Sequence, residues 1–289
     1  MIAGMERRKG RFLTPVLVYL NVFVTFPTLY TWYMSFTEYG LSGVRFVGLA
    51  NFRLIFADPS FQKALANTFL LVLGAVAIEF VVGMLVALFL NRKFYGKPVI
   101  YWVVLLPLIL APVVVGLTFR ILYDPTLGLI NYLIGVVRLR GPLWLTNSRI
   151  ALLSIILIDT WEWSPFMALL LLSGLQYVPL EVLESAKVDG ANAFRRFQFI
   201  TLPLMKNIIS LALIFRTLDC FNRTFDIIYI TTRGGPGNAT EIILTLAYRT
   251  AFQYLKFGKA AAQSIVLFIA IVFFVIVLRR TLKEELVQN

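Results

Sequence analysis

The 289-residue sequence has no histidine and a single cysteine, Cys220, and only 15% of its residues are charged. Without His, imidazole acid–base chemistry and the commonest metal ligation are nearly excluded. One Cys allows no disulfide framework within the chain. No G-x-x-x-x-G-K-[ST] segment occurs, so the loop that cradles nucleotide phosphates is missing. "GGPGN" at 234–238 is Gly-rich but lacks a Lys and reads as a turn. Glu184 and Asp189 lie five apart and do not share a helix face as an acid–base pair would. A repeated half, expected of many self-sufficient transporters, is also lacking.

What the chain has is apolar surface. Hydrophobic residues make up 59% of it and mean hydropathy is +0.82, more than a water-soluble domain can bury, so the bilayer is the expected solvent. Six windows are long enough to cross about 30 Å of hydrocarbon as helices: 12–36, 66–90, 98–123, 150–175, 206–230 and 260–279. The first follows "MERRKGR", exceeds the apolar core of a signal peptide and precedes no small-residue cleavage site, so it reads as a retained span. Pro15, Pro27, Pro107, Pro112 and Pro165 fall inside these windows, where neighbouring helices or water can satisfy the freed carbonyls.

The net charge of +12 would suggest nucleic acid in a soluble protein. Here no basic face is free of membrane-length apolar runs, and the basic residues are read as loop charges that set orientation. With the N-terminus inside, the inner segments hold Arg7, Arg8, Lys9, Arg11, Arg92, Lys93, Lys97, Lys187, Arg195, Arg196, Lys206, Arg279, Arg280 and Lys283. The much longer outer loops hold ten Lys and Arg, so the density places both termini in the cytoplasm.

Within span five, Arg216, Asp219, Arg223 and Asp226 are spaced by three, four and three residues and fall within about 80° of one another. An ionised residue at the bilayer centre costs on the order of 3 kcal/mol, so this stripe must face a partner, itself or a wet cavity. A ladder of alternating salt bridges and a solute-facing wall both satisfy that demand. Span four adds Asp159 and Glu162 beside Trp161, Trp163 and Phe166, and span two adds Glu79. Carboxylates next to aromatic faces suit sugars, whose hydroxyls need acceptors and whose C–H faces stack on rings.

Between spans four and five lies a polar island, "LESAKVDGANAFRRFQFITLP" at 183–203. Pro179 suits the first turn of a helix, Glu181 and Glu184 suit its positive end, and Gly190 suits a left-handed cap. "ANAFRRFQFI" can form a second short helix with Phe194, Phe197 and Ile200 available for packing, and Pro203 marks the entry to span five. Local chemistry alone favours a self-contained surface turn.

The spacing of Glu184-Ser185-Ala186, Gly190, Ile200, Leu202 and Pro203, with Asp189 beside the Gly, resembles the cytoplasmic signature loop of ABC importer permeases, Glu-Ala-Ala, three residues, Gly, nine residues, Ile-x-Leu-Pro. Ser185 replaces the first Ala, one small residue for another. "FVGLANFRLIF", "DTWEWSPFMALLLLSGLQYVP" and "FDIIYITTRGGPGNATE" are similar to the carbohydrate-uptake branch, of the larger-permease type found in maltose, trehalose and glycerol-phosphate importers. The resemblance implies an all-α integral membrane protein with six transmembrane helices, in the type I importer fold. It implies an N-terminal tail, first span and outer loop over 1–65, a permease core over 66–283 with its coupling loop at 177–205, and a cytoplasmic tail over 284–289. It further implies a cell inner-membrane location, a heterodimer with a second homologous permease, two ATPase subunits that bind ATP and Mg, and an outer solute-binding protein. The chain itself would hold no cofactor and catalyse no reaction. By position in the family, Glu162, Trp163, Phe166, Cys220, Phe221 and Thr224 match solute-facing places, with Asp219, Arg223 and Asp226 on the same pathway. Whether the solute touches this subunit or only its partner stays open, as does the choice between sugar and phosphorylated polyol. The competing reading is a secondary transporter that uses the intramembrane carboxylates as ion sites. An intramembrane enzyme lacks a nucleophile–base pair.

Overall fold

The computed structural model describes residues 14–40 and 43–287, with backbone alone at 40 and 281–287. Arg7, Arg8, Lys9 and Arg11 and the beginning of the first window lie outside the described residues, as does the Lys283 side chain. The elements in chain order are α1 (Thr14–Ser35), β1 (Thr37–Gly40), β2 (Gly43–Phe46), α2 (Ala50–Ala57), α3 (Pro59–Leu90), α4 (Lys97–Ile109), α5 (Pro112–Leu122) and α6 (Leu129–Val136). They continue as α7 (Ala151–Tyr177), α8 (Leu180–Val188), α9 (Ala193–Leu204), α10 (Lys206–Thr231), α11 (Ile243–Phe252) and α12 (Phe257–Val287). Four helices, α1, α3, α7 and the 257–280 part of α12, are individually long and apolar enough to cross a membrane, and two bent pairs bring the total to as many as six.

The first pair corrects the expectation of an uninterrupted third span. The 98–123 window breaks into α4 and α5, bent by 98°. Leu110 and Ala111 are extended, with ψ 141° and 140°, because Pro112 bars its predecessor from the helical region and supplies no N–H to continue α4. The fifth span is α10 preceded by α9 at 69°. Elsewhere proline acts more gently. Five-residue π turns at Asn21–Thr25 and Phe197–Thr201 each end two residues before a proline, Pro27 and Pro203, where the ring would clash with the carbonyl four residues back.

The chain divides into two compact units, residues 1–62 with 246–269 and residues 63–245 with 270–289. In the first, β1 and β2 form an antiparallel hairpin, pairing Thr37 with Phe46. The Asn51 amide donates to both the Ser35 and Thr37 carbonyls at 2.9 Å, fixing the exit of α1. A Cβ at Gly258 would strike the Thr37 carbonyl, so the second residue of α12 must be Gly. Lys259 pairs with Asp58 at 2.9 Å. Desolvation alone would push the Asp58 carboxyl up, but Lys259 and the Ser60 N–H outweigh it and hold it below its ordinary value. The hairpin and α2 follow the first span, within the segment read as an outer loop.

In the second unit, α10 packs against α5 and α7, and α4 packs on α7. A Cβ at Gly83 would lie 2.8 Å from Met167 Cγ, so α3 and α7 cross there at a distance only Gly permits. The "GGPGN" turn after α10 carries Gly234, Gly237 and Asn238 at φ 87°, 54° and 61°. It is tied to α3: Lys63 Nζ donates to the Gly237 carbonyl at 2.8 Å, and the Asn67 amide donates to the Asn238 and Glu241 carbonyls at 3.0 and 2.9 Å.

Candidate functional site

At the centre of the second unit is Arg216, fully buried on α10. Its Nε donates to Glu79 Oε2 at 2.6 Å and its Nη2 to Glu79 Oε1 at 2.9 Å, a two-pronged bond reaching α3. Nη2 also donates to Asp159 Oδ2 on α7, and Nη1 to Asp219 Oδ2 one turn along α10 at 3.0 Å. Asp219 Oδ1 accepts in turn from Arg223 Nε at 2.9 Å. The guanidinium thus holds three carboxylates from α3, α7 and α10 together.

The aromatic wall is built on the same cations. Arg216 and Arg223 carry their guanidinium carbons 4.8 and 4.7 Å from the centre of the Trp163 ring. Trp163 meets Phe166 edge-on at 6.0 Å, and Phe166 lies 6.2 Å from Phe215. Beneath this wall, Cys220 Sγ donates weakly to Asp159 Oδ2 at 3.7 Å and Thr224 Oγ1 donates to the Cys220 carbonyl.

The stripe on α10 is therefore a ladder through Arg216, Asp219 and Arg223 that stops short of Asp226, which is half-buried and has no ion pair among the described residues. Arg216 is sealed, whereas the Arg223 side chain is 48% exposed. The expected solute-facing set divides. Trp163, Phe166, Asp219, Arg223 and Asp226 reach the surface of the chain. Cys220, Phe221 and Thr224 do not: they are at most 1% exposed, with Phe221 edge-on to Phe69 and Phe274 at 6.0 and 6.2 Å. They fill the packing behind the wall. Glu162 is 2% exposed on the inner edge. The Glu79–Arg216 bond was not read from the sequence, although a lone carboxylate in an apolar span calls for one of the few intramembrane cations.

The second feature is the corner between α7 and α10. Pro179 stands just before α8 rather than inside its first turn. Gly190 has φ 83°, and α8 ends in a Schellman motif: Ala191 N donates to the Ala186 carbonyl at 2.9 Å and Gly190 N to the Lys187 carbonyl at 3.2 Å. Asn192 then caps α9, accepting from Arg195 N at 2.8 Å, and Arg196 Nη1 closes the corner on the Ala191 carbonyl at 2.6 Å. Glu184, Ser185, Asp189 and Pro203 are exposed, while Ala186, Ile200 and Leu202 are half-buried. Phe194 stays out of the packing and is 71% exposed, and with Leu180, Val188 and Phe199 it leaves an apolar surface on the corner.

At the opposite end of α10 a cleft of about 360 Å³ is lined by Arg120, Tyr123, Asp124, Thr146, Thr232 and Pro236, among others. Arg120 Nη1 donates to the Ile230 carbonyl at 3.3 Å, and Tyr123 stacks on Trp144 at 4.8 Å. The N–H groups of Leu127 and Thr126 hold the Asp124 carboxyl below its ordinary value.

Apolar membrane-length helices, a charged clamp buried among three of them and a rigid polar corner outside them define a multi-span transport protein. Residues 79–283 match the family described as binding-protein-dependent transport system inner membrane component, and the chain belongs to that family. It is accordingly a permease subunit of a binding-protein-dependent ABC importer and not an enzyme. Among similar proteins, the trehalose/maltose transport system permease protein MalF of Thermococcus litoralis is 34% identical over 92% of this chain and 90% of its own length. The trehalose transport system permease protein SugA of Mycobacterium tuberculosis is 35% identical over 94% of this chain and 88% of its own. The fold matches that of a chain in the crystal structure of a bacterial ABC transporter involved in the import of the acidic polysaccharide alginate, with a TM-score of 0.85 at 20% identity, covering 98% and 99% of the two chains. The architecture is the type I importer permease fold.

Proposed function

We propose that this subunit moves a sugar or related polyol into the cytoplasm, paired with a second homologous permease, driven by two ATPase subunits and supplied by an outer solute-binding protein. ATP and Mg belong to the ATPases. The relatives' trehalose, maltose and sn-glycerol-3-phosphate designations support the solute class. The exposed apolar side of α1, none of whose most apolar window is buried within the chain, suits lipid and the second permease.

The observation that carries the reading is the α8–α9 corner. Its backbone is fixed at both ends by caps, its apolar side chains are exposed, and it runs directly into α10, which bears Arg223 against Trp163. Glu184, Ser185, Ala186, Asp189, Gly190, Ile200, Leu202 and Pro203 are the ATPase-coupling residues, and the corner faces the cytoplasm with both termini. The solute wall is Trp163, Phe166, Asp219, Arg223 and Asp226, with Glu162 at its edge. Of the intramembrane carboxylates that a secondary transporter could use, Glu79 and Asp159 are bound to Arg216 and Asp219 to Arg216 and Arg223. The test is purification of the tagged permease followed by ATP hydrolysis in vesicles. Co-elution of an ATPase stimulated by a loaded binding protein is expected. Solute uptake by this chain alone, driven by an ion gradient, would overturn the reading.

A further inference from the structure

Glu162 is the unexplained member of the buried cluster. It is 2% exposed, has neither ion pair nor hydrogen bond among the described residues, and its Oε2 is sealed from solvent without a partner. Its neighbours are differently served. Glu79 takes two N–H bonds from Arg216, and Asp159 takes one together with the Cys220 thiol, both on Oδ2, with Oδ1 left without a partner. Asp219 is held between Arg216 and Arg223. The charges that act on Glu162 are Asp159 from its own helix and Arg216, Arg223 and Asp219 from α10, with Glu79 beyond Arg216 on α3.

Its missing partner singles it out, and the charge count agrees. With Glu79, Asp159 and Asp219 each ionised against the two guanidinium cations they bind, the cluster carries one surplus negative charge. An ionised Glu162 would add a second, next to Asp159, in a place where water reaches little of either. A buried charge without a partner is far more costly than a buried neutral group, and such a carboxylate takes up a proton instead.

We propose that Glu162 holds a proton in the resting permease, so that the Arg216 cluster is a proton-binding site. Glu162 then meets the solute as a neutral acid, with one O–H to donate and one carbonyl to accept. This fits a polyhydroxyl solute better than an anionic one, since the cluster keeps its surplus negative charge. The donor role rests on the solute-pathway reading; the bound proton does not.

The experiment is infrared difference spectroscopy on the assembled importer in vesicles, wild type minus Glu162→Gln, in light and heavy water. The expected difference is loss of a protonated carboxylic acid C=O band that shifts on deuteration. Loss of an ionised carboxylate band in its place would overturn the proposal, and so would the absence of any carboxyl difference. Glu162→Met, an apolar residue of similar size, gives the same comparison if the Gln variant does not assemble. The donor role is read separately from uptake. Gln, which both donates and accepts, should exceed Met by about fivefold, the worth of one buried hydrogen bond. Equal uptake by the two variants would overturn the donor role and leave the proton assignment standing.

Discussion

Arg216 grips Glu79 with two parallel N–H bonds, at 2.6 and 2.9 Å, although the two residues are 137 positions apart. A fork of this kind sets the rotation of α10 about its axis as well as its distance from α3, because both carboxylate oxygens must lie in the guanidinium plane. Apolar packing alone fixes that rotation poorly in a membrane, where lipid tails compete with side chains on equal terms. With α10 held so, Arg223 falls against Trp163 and the α9–α10 bend leads to the exposed corner.

Removing Arg216 should therefore damage assembly first. Arg216→Met leaves Glu79 and Asp159 buried without a cation, and breaking a buried pair from one side costs about 3–5 kcal/mol. Arg223→Ala, at a half-exposed position with one ion pair, should cost about 1 kcal/mol or less. The difference in exposure puts the folding role on Arg216 rather than Arg223. Complex yield and thermal unfolding in detergent rank the two variants. A larger loss for Arg223→Ala would show that the clamp does not hold the helices.

The corner makes a different prediction. Gly190 sits at φ 83°, and a Cβ built there meets nothing within 4 Å, so the penalty for a side chain is entirely a backbone one, about 1 kcal/mol. Gly190→Asp should misdirect the α8–α9 corner while leaving the Arg216 clamp intact. Uptake and solute-stimulated ATP hydrolysis should both fall, with the binding protein still loading normally. Gly190→Asn, which tolerates the left-handed region, should recover part of the loss. Wild-type coupling in Gly190→Asp would remove the corner from the mechanism.

What could be read in the sequence followed from local rules. The cap at Gly190, the "GGPGN" turn and the polar stripe each depend on residues within a few positions of one another, and the structure has all three. The Arg216–Glu79 fork escaped because it joins distant helices, and the burial of Cys220, Phe221 and Thr224 escaped because a helical wheel does not say which neighbour covers a face. The 98° break at Leu110–Ala111 had its signal in Pro112, but an unbroken run of apolar residues on either side concealed it. The β1–β2 hairpin pairs only four residues with four, too short to show a pattern of alternation.

Orientation can be checked independently of transport. Lys and Arg density predicts the C-terminus and the α8–α9 corner inside, and the loop between α6 and α7 outside. A reporter fused after Gln288, which lies outside the described residues, should be active only if the reporter works in the cytoplasm. One inserted near Gly141 should be active only outside. The opposite result at either site would invert the topology and take the corner away from any cytoplasmic ATPase.

Trp163 offers the most direct test of the solute wall. In the resting chain its ring is not a bare stacking surface, since Arg216 and Arg223 both lie within 5 Å of its centre. A sugar that stacks on Trp163 must meet or displace the half-exposed Arg223, whereas Arg216 is held by three carboxylates and stays. Trp163→Ala therefore removes a stacking face worth about 0.5–1.5 kcal/mol and at the same time frees Arg223 to bind solute oxygens. Uptake should fall by roughly threefold to tenfold, in line with that energy, and selectivity should shift toward anionic solutes. Basal ATP hydrolysis and complex yield should survive, because Arg216 keeps its carboxylates. Trp163→Phe, which keeps a ring of smaller area, should fall between. If Trp163→Ala instead lowers complex yield as much as Arg216→Met does, the ring is part of the clamp, and the solute passes elsewhere.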